Sequence, residues 1–353
     1  MMSMNITQIS GMDLIGLISY VLFDILCVDD VSNIDCLVYR FISVVFTGVC
    51  MTSFAFNVRC ILINRKRINP LVLSLCVNSF VLCCLSLPYI LIQSIQCYPI
   101  QSYFICCFQG FICFTSGICV MYTMLLLALI QYIRLFYNSC LLYRLIEHKR
   151  SYFIPFLCWF ISFLWSSPPF MNIEPGFMRE GQGFDCGLNW NRTTICTYIY
   201  LFLAFILIYF LPLFCLLFTN IHILITIRKL IRQRCPIALR TIKTIPCDVR
   251  HRLIDSFTVT ESNRLKSLRI NRRFAQATMI TIFYYILSWT PYTMCGIIRM
   301  GLAMNHIHYE FPSMVITASA LIAKMAVIGQ SSVYFYTVRP PNRRFSLALA
   351  IPK

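Results

Sequence analysis

A single lysine lies deep inside a long apolar stretch near the C-terminal end of the chain. The charged residues nearest to Lys324 in sequence are Glu310 and Arg339, at the two ends of that stretch. A lysine at the centre of a bilayer costs about 2.5–3.5 kcal/mol to insert, so Lys324 needs a partner or a chemical role. Two roles fit: an ion pair with a carboxylate on another helix, or a Schiff base with an aldehyde, because burial favours the neutral, nucleophilic amine.

The other apolar stretches offer Lys324 no carboxylate. Residues 68–133 contain no Asp, Glu, Lys or Arg, and the apolar stretches between residues 152 and 298 contain no Asp or Glu. An ion pair with another helix is therefore disfavoured. These residues by themselves leave a Schiff base and an unexplained polar contact about equally open.

The elements that hold Lys324 are lipid-spanning helices. The chain is 59% hydrophobic and only 12% charged, whereas soluble domains are about 25% charged. Seven stretches reach the roughly 20 residues that a spanning helix needs. We therefore expect an all-α membrane protein, a seven-transmembrane-helix bundle, flanked by an N-terminal segment (1–40) and a short cytoplasmic tail (339–353). The predicted spans are 41–63, 69–95, 103–136, 152–171, 195–227, 274–298 and 311–338.

The basic residues orient this bundle. Thirteen of the 30 Lys and Arg residues fall between Arg228 and Arg273, in a polar stretch that we interpret as the loop between the fifth and sixth spans. Other basic residues follow the first, third and seventh spans. All these segments belong in the cytoplasm, which predicts an extracellular N-terminus at the plasma membrane. The net charge of +17 therefore reflects membrane topology, and we expect no nucleic-acid partner.

Several motifs keep a fixed order along the chain. Residues 323–334 place Lys324 six residues before Gln330 and ten before Tyr334, and residues 288–292 read Ser-Trp-Thr-Pro-Tyr. Residues 106–111 read Cys-Cys-Phe-Gln-Gly-Phe, and a loop segment follows at 180–187. Together these motifs resemble those of opsins, a family of G-protein-coupled receptors. The resemblance implies retinal as cofactor (11-cis or all-trans), carried as a covalent Schiff base on Lys324.

The same resemblance implies the rest of the site. Glu180 matches the loop counterion of the family, with Glu174 and Asp185 as competitors for that role. One disulfide is expected, between Cys106 and Cys186, although Cys107 and Cys196 are possible substitutes. The remaining retinal-binding residues implied by the match are Gln109, Gly117, Tyr122, Tyr209, Tyr285, Trp289 and Tyr292.

The cytoplasmic motifs depart from the family pattern. Ile130 and Gln131 replace the acid and arginine that end the third helix, and Gln330 and Ser331 replace the Asn-Pro of the seventh. A heterotrimeric G protein is therefore a weaker prediction than retinal binding. We expect a photoreceptor that is not an enzyme. The alternatives are a light-dependent retinal photoisomerase, a non-signalling opsin relative, and a receptor for a diffusible ligand.

Overall fold

The architecture was taken from a computed structural model of the chain. It describes residues 34–64, 70–97, 100, 102–136, 152–181, 183–192, 194–244, 247–305 and 313–338. Most of the N-terminal segment 1–40 and all of the tail 339–353 lie outside these ranges.

Long helices account for nearly all of the described chain. They assemble into seven rods, because α3 follows α2 across one residue and α6 continues through a π-helical segment into α7. The bounds are α1 Ile34–Asn64, α2 Pro70–Leu85, α3 Leu87–Gln96, α4 Tyr103–Phe136, α5 Phe153–Phe170, α6 Ile195–Ala204, the π-helical segment Phe205–Phe210, α7 Leu211–Thr244, α8 Cys247–Met304 and α9 Ser313–Val338.

Five of these rods are long and apolar enough to cross a membrane by length and composition: Arg40–Arg59, Pro70–Gln96, Tyr103–Ile133, Phe153–Phe170 and Ile195–Arg232. Within α9, residues Ser313–Ala326 form a shorter apolar helix. Large apolar side chains such as Phe160, Phe214 and Phe283 point outward and are exposed. Such an apolar exterior is what a lipid-facing surface requires.

The stretch between the fifth and sixth predicted spans differs from its interpretation as a loop. Helix α7 continues to Thr244 and α8 begins at Cys247, so the described backbone of this basic stretch is helical. Lys, Arg and Leu, which are good helix formers, are frequent in this stretch. The polar composition marks where the chain leaves the lipid, and it does not mark where the helix ends.

A short β-hairpin is inserted between α5 and α6. Strands β1 (Phe177–Glu180) and β2 (Asp185–Leu188) pair antiparallel, with Glu180 opposite Asp185 at the turn. The hairpin is packed into the bundle: Phe177 fills the space beside Gly110 of α4, where an added Cβ would approach the ring to 2.6 Å. The hairpin therefore forms a structured cover over the helices.

Candidate functional site

The amine of Lys324 is buried and paired. Helix α9 places Lys324 facing the bundle with 8% of its surface exposed, and its Nζ forms an ion pair with Oδ2 of Asp185 from β2. The other oxygen of Asp185 accepts the backbone N–H of Cys186 at 2.8 Å. The carboxylate partner of Lys324 thus comes from the hairpin. The search for acids in the apolar stretches of the sequence did not include this segment.

Glu180 is the second buried acid of the hairpin. Its Oε1 accepts hydrogen bonds from the hydroxyl of Tyr292 at 2.7 Å and from Nε1 of Trp190 at 3.3 Å. Burial and the neighbouring Asp185 carboxylate raise the pKa of Glu180 to about 7, although Lys324 and the two hydrogen bonds act in the opposite direction. Glu180 is therefore poised between its neutral and charged forms.

Two anchors hold the hairpin against the helices. The Cys106–Cys186 disulfide joins β2 to α4, with 5.4 Å between the Cα atoms, which confirms the predicted pair. At the turn, Gly181 adopts φ +54, and an added Cβ would run into the side chain of Thr317 in α9. Cys97 is disulfide-bonded as well, so the expectation of a single disulfide was wrong.

An apolar cavity opens beside Lys324. Its volume is about 100 Å³, which is several times the roughly 10–15 Å³ that one water needs. Aromatic rings dominate its wall, with Trp289 stacked on Tyr285 at 5.6 Å between centroids. The cavity is lined by seven of the nine retinal-binding residues predicted from the sequence: Gly117, Glu180, Tyr209, Tyr285, Trp289, Tyr292 and Lys324.

Two predicted residues lie away from this lining. The hydroxyl of Tyr122 donates to the carbonyl of Leu207 at 3.2 Å, so its ring packs α4 against the π-helical segment. Gln109 is completely buried, and both polar atoms of its amide lack a hydrogen-bond partner among the described residues. Buried amides of this kind are normally satisfied, often by water.

Sequence reasoning missed several residues of the wall. Trp190 and Phe177 come from the hairpin region, Phe205 from the π-helical segment, and Cys113 from α4. Asp185 was weighed only as a competitor for the counterion role. The one signal in the sequence that placed Asp185 near the site was its position directly before Cys186, because the disulfide links Cys186 to α4.

The end of α4 that is predicted to face the cytoplasm contains aromatic packing next to Gln131, the position at which the resemblance to opsins implies an arginine. The rings of Tyr132 and Phe136 lie 5.6 and 4.9 Å from the ring of His222. The side-chain oxygen of Gln131 is buried without a hydrogen-bond partner among the described residues. The side chains of Gln330 and Ser331 lie outside the described residues.

Comparison with known proteins defines the class. Residues 58–327 match the family described as 7 transmembrane receptor (rhodopsin family). This match covers most of the chain, and the chain therefore belongs to the rhodopsin family of seven-transmembrane receptors. The predicted fold class, an all-α seven-helix membrane bundle, is confirmed.

The similar proteins include opsins. Melanopsin-A of Danio rerio is 24% identical over 82% of this chain and 44% of its own length. Melanopsin of Homo sapiens is 23% identical over 82% of this chain and 55% of its own length. The chain thus spans about half the length of these relatives.

A solved structure shows the same fold. The crystal structure of squid rhodopsin superposes with a TM-score of 0.66 at 18% identity, covering 89% of this chain and 85% of that one. Together with the melanopsins, this neighbour confirms the resemblance to opsins.

Proposed function

We propose that the protein is a photoreceptor that carries retinal as a Schiff base on Lys324. The observation that carries this proposal is a buried amine at the edge of an apolar, aromatic-lined cavity, held by a carboxylate. When bound, retinal supplies a conjugated chain that absorbs visible light and isomerises about a double bond.

The residues of the cavity suit such a ligand. The rings of Tyr209, Tyr285 and Trp289 form a stacked series on one wall. Gly117 makes room for this series, because an added Cβ would lie 2.8 Å from the Trp289 ring. Ring faces and aliphatic side chains bind a long polyene by burying apolar surface.

The polar groups of the cavity lie close to the amine. Glu180, Tyr292 and Trp190 form one hydrogen-bonded group, and Asp185 pairs with Lys324. Apolar walls with a few convergent polar groups are the usual composition of a small-molecule site. The role of Glu180 as counterion stays a prediction.

The test is an absorbance spectrum after incubation of the purified protein with 11-cis-retinal. We expect a visible band in the wild type that is missing in Lys324→Ala and in Lys324→Arg. Lys324→Arg is the matched control, because arginine keeps the positive charge beside Asp185 but cannot form the Schiff base. A folded wild type without a band would overturn the proposal and favour a receptor for a diffusible ligand.

The place of action and the partner follow from the same proposal. The chain would lie in the plasma membrane with its N-terminus outside and would report light to a heterotrimeric G protein. The replacement of the family arginine by Gln131, beside the packed rings of Tyr132 and His222, supports a second candidate. In it, light would serve to isomerise retinal, without coupling to a G protein.

A further inference from the structure

We propose that Asp185 is the carboxylate that balances the positive charge on Lys324, and that Glu180 acts as a neutral hydrogen-bonding acid beside it. The inference rests on the proposed retinal linkage to Lys324. The resemblance to opsins gives the counterion role to Glu180 alone. The proposal gives the negative charge to Asp185 and a hydrogen-bonding role to Glu180.

The contacts of Asp185 are those of a charged group. One oxygen pairs with Nζ of Lys324, and the other accepts the Cys186 backbone N–H at 2.8 Å. Charge-assisted hydrogen bonds of this kind are about twice as strong as neutral ones. The next residue, Cys186, forms the disulfide with Cys106 of α4. This covalent link fixes the position of the Asp185 carboxylate.

Asp185 can keep this contact when the cavity is filled. Lys324 and Glu180 line the cavity, but Asp185 is not among the described residues that line it. Only 1% of the surface of Asp185 is exposed. In the condensation of an aldehyde with the ammonium, the C=O bond and two N–H bonds break, one C=N bond forms, and the oxygen leaves as water with those two protons. The nitrogen retains its positive charge, and the pairing with Asp185 therefore survives the linkage.

The contacts of Glu180 differ in kind. Its Oε1 accepts from two neutral donors, the Tyr292 hydroxyl and the Trp190 indole N–H. The charged and titratable groups that face it are Asp185 from β2, Lys324 from α9, Tyr292 from α8 and, farther off, the Cys113 thiol of α4.

The charges of the cluster agree with this division. One ammonium and two carboxylates would leave an unbalanced negative charge in a buried site, which is unfavourable. The raised pKa of Glu180 is the expected response of the acid that is not paired with the lysine. With a neutral Glu180, the cluster has no net charge.

The first experiment measures the pH at which the visible band of the retinal-loaded protein gives way to a near-ultraviolet band. The wild type is compared with Asp185→Asn and Glu180→Gln, two neutral replacements of nearly unchanged size. We expect Asp185→Asn to lower this midpoint by about 2 pH units, since an opposite charge in contact has an effect of that size. Glu180→Gln should lower it by less than half as much.

The second experiment uses the ligand-free protein. Infrared spectra recorded across the pH range should show a carboxylic-acid C=O band that titrates near neutrality and is lost in Glu180→Gln. In Asp185→Asn the band should remain at acidic pH and titrate at a lower pH, because the neighbouring negative charge is gone.

The outcomes separate the two proposals. A wild type without a visible band overturns retinal binding itself. A visible band whose midpoint falls more in Glu180→Gln than in Asp185→Asn, or an acid band that is lost only in Asp185→Asn, overturns the assignment of Asp185. If Asp185→Asn does not fold, Glu180→Gln decides: a fall of less than about 1 unit supports Asp185, and a fall of about 2 units rejects it.

Discussion

At the scale of single residues, Gly117 sets how closely α4 can approach Trp289. An added Cβ would lie 2.8 and 2.9 Å from two carbons of the indole ring, which is closer than packed atoms allow. The ring would have to move, and with it the stacked wall that Trp289 forms with Tyr285. The absent side chain at Gly117 is therefore part of the shape of the cavity.

Gly117→Ala should accordingly destabilise the protein by about 1–3 kcal/mol, the usual cost of overpacking, and should weaken the visible band obtained with retinal. Thermal unfolding and absorbance measure the two effects. Gly301→Ala is the matched control: this glycine lies in α8, as Trp289 does, and an added Cβ there would have nothing within 4 Å. Equal effects of the two substitutions would contradict the role given to Gly117.

Glu180 makes a prediction about pH. Its pKa is raised from 4.5 to about 7 in the folded protein, so between these values the folded state holds a proton that the unfolded chain has released. The stability that this proton contributes is fully present below about pH 4.5 and is lost as the pH rises through about 7. We expect the melting temperature of the ligand-free protein to fall across this window.

Glu180→Gln replaces the titratable carboxyl group by a neutral amide and is the control for this prediction. The difference in melting temperature between the wild type and the variant should change as the pH is raised from about 5 to about 8, with the wild type losing stability relative to the variant. Parallel profiles would show that Glu180 does not titrate in this range.

At the scale of elements, the hairpin explains what the sequence could and could not predict. Loop acids are normally solvated, and only the resemblance to opsins pointed to Glu180 as the counterion, with Asp185 as a competitor. Their burial follows from the pairing register, which places them opposite each other, and from the packing of the hairpin into the bundle. Neither feature is encoded in local composition. The disulfide pair was predictable, since both cysteines stand in recognisable motifs.

The disulfide should contribute strongly to stability and to the site. Cys106 and Cys186 are separated by 80 residues, and closing a loop of this length is worth about 4–5 kcal/mol in the chain-entropy account. The double variant Cys106→Ser/Cys186→Ser should therefore melt at a lower temperature and lose the visible band, because Asp185 is no longer held at Lys324. Cys196→Ser, which alters an exposed free cysteine of α6, should leave both measurements unchanged. A double variant that keeps its band would contradict this role of the hairpin anchor.

At the scale of the whole molecule, apolar length is a good guide to five of the seven rods. The predicted third span has the same bounds as α4, Tyr103–Phe136. Features that depend on backbone geometry were not predictable in the same way. The interruption at Ser86 and the π-helical segment Phe205–Phe210 do not change the apolar pattern, so the pattern does not predict them. Helices α7 and α8 continue beyond the apolar stretches, where the pattern gives no information.

The end of the bundle that is predicted to face the cytoplasm distinguishes the proposed signalling receptor from the proposed photoisomerase. By resemblance, Gln131 occupies the position of the arginine that engages a G protein, and its buried side-chain oxygen has no partner among the described residues. Gln131→Arg should raise light-dependent nucleotide exchange by a G protein several-fold over the wild type and leave the absorption band unchanged, since the substitution lies far along α4 from Gly117.

Gln131→Leu, similar in size but without charge, controls for this substitution and should not exceed the wild type in the same exchange assay. A wild type that is already as active as Gln131→Arg would show that the arginine is not limiting. If no variant drives exchange, but illumination of the wild type converts all-trans-retinal to the 11-cis form, the photoisomerase becomes the better account. The conversion should then persist in Gln131→Leu, because it depends on the cavity beside Lys324, and the residues at the cytoplasmic end take no part in it.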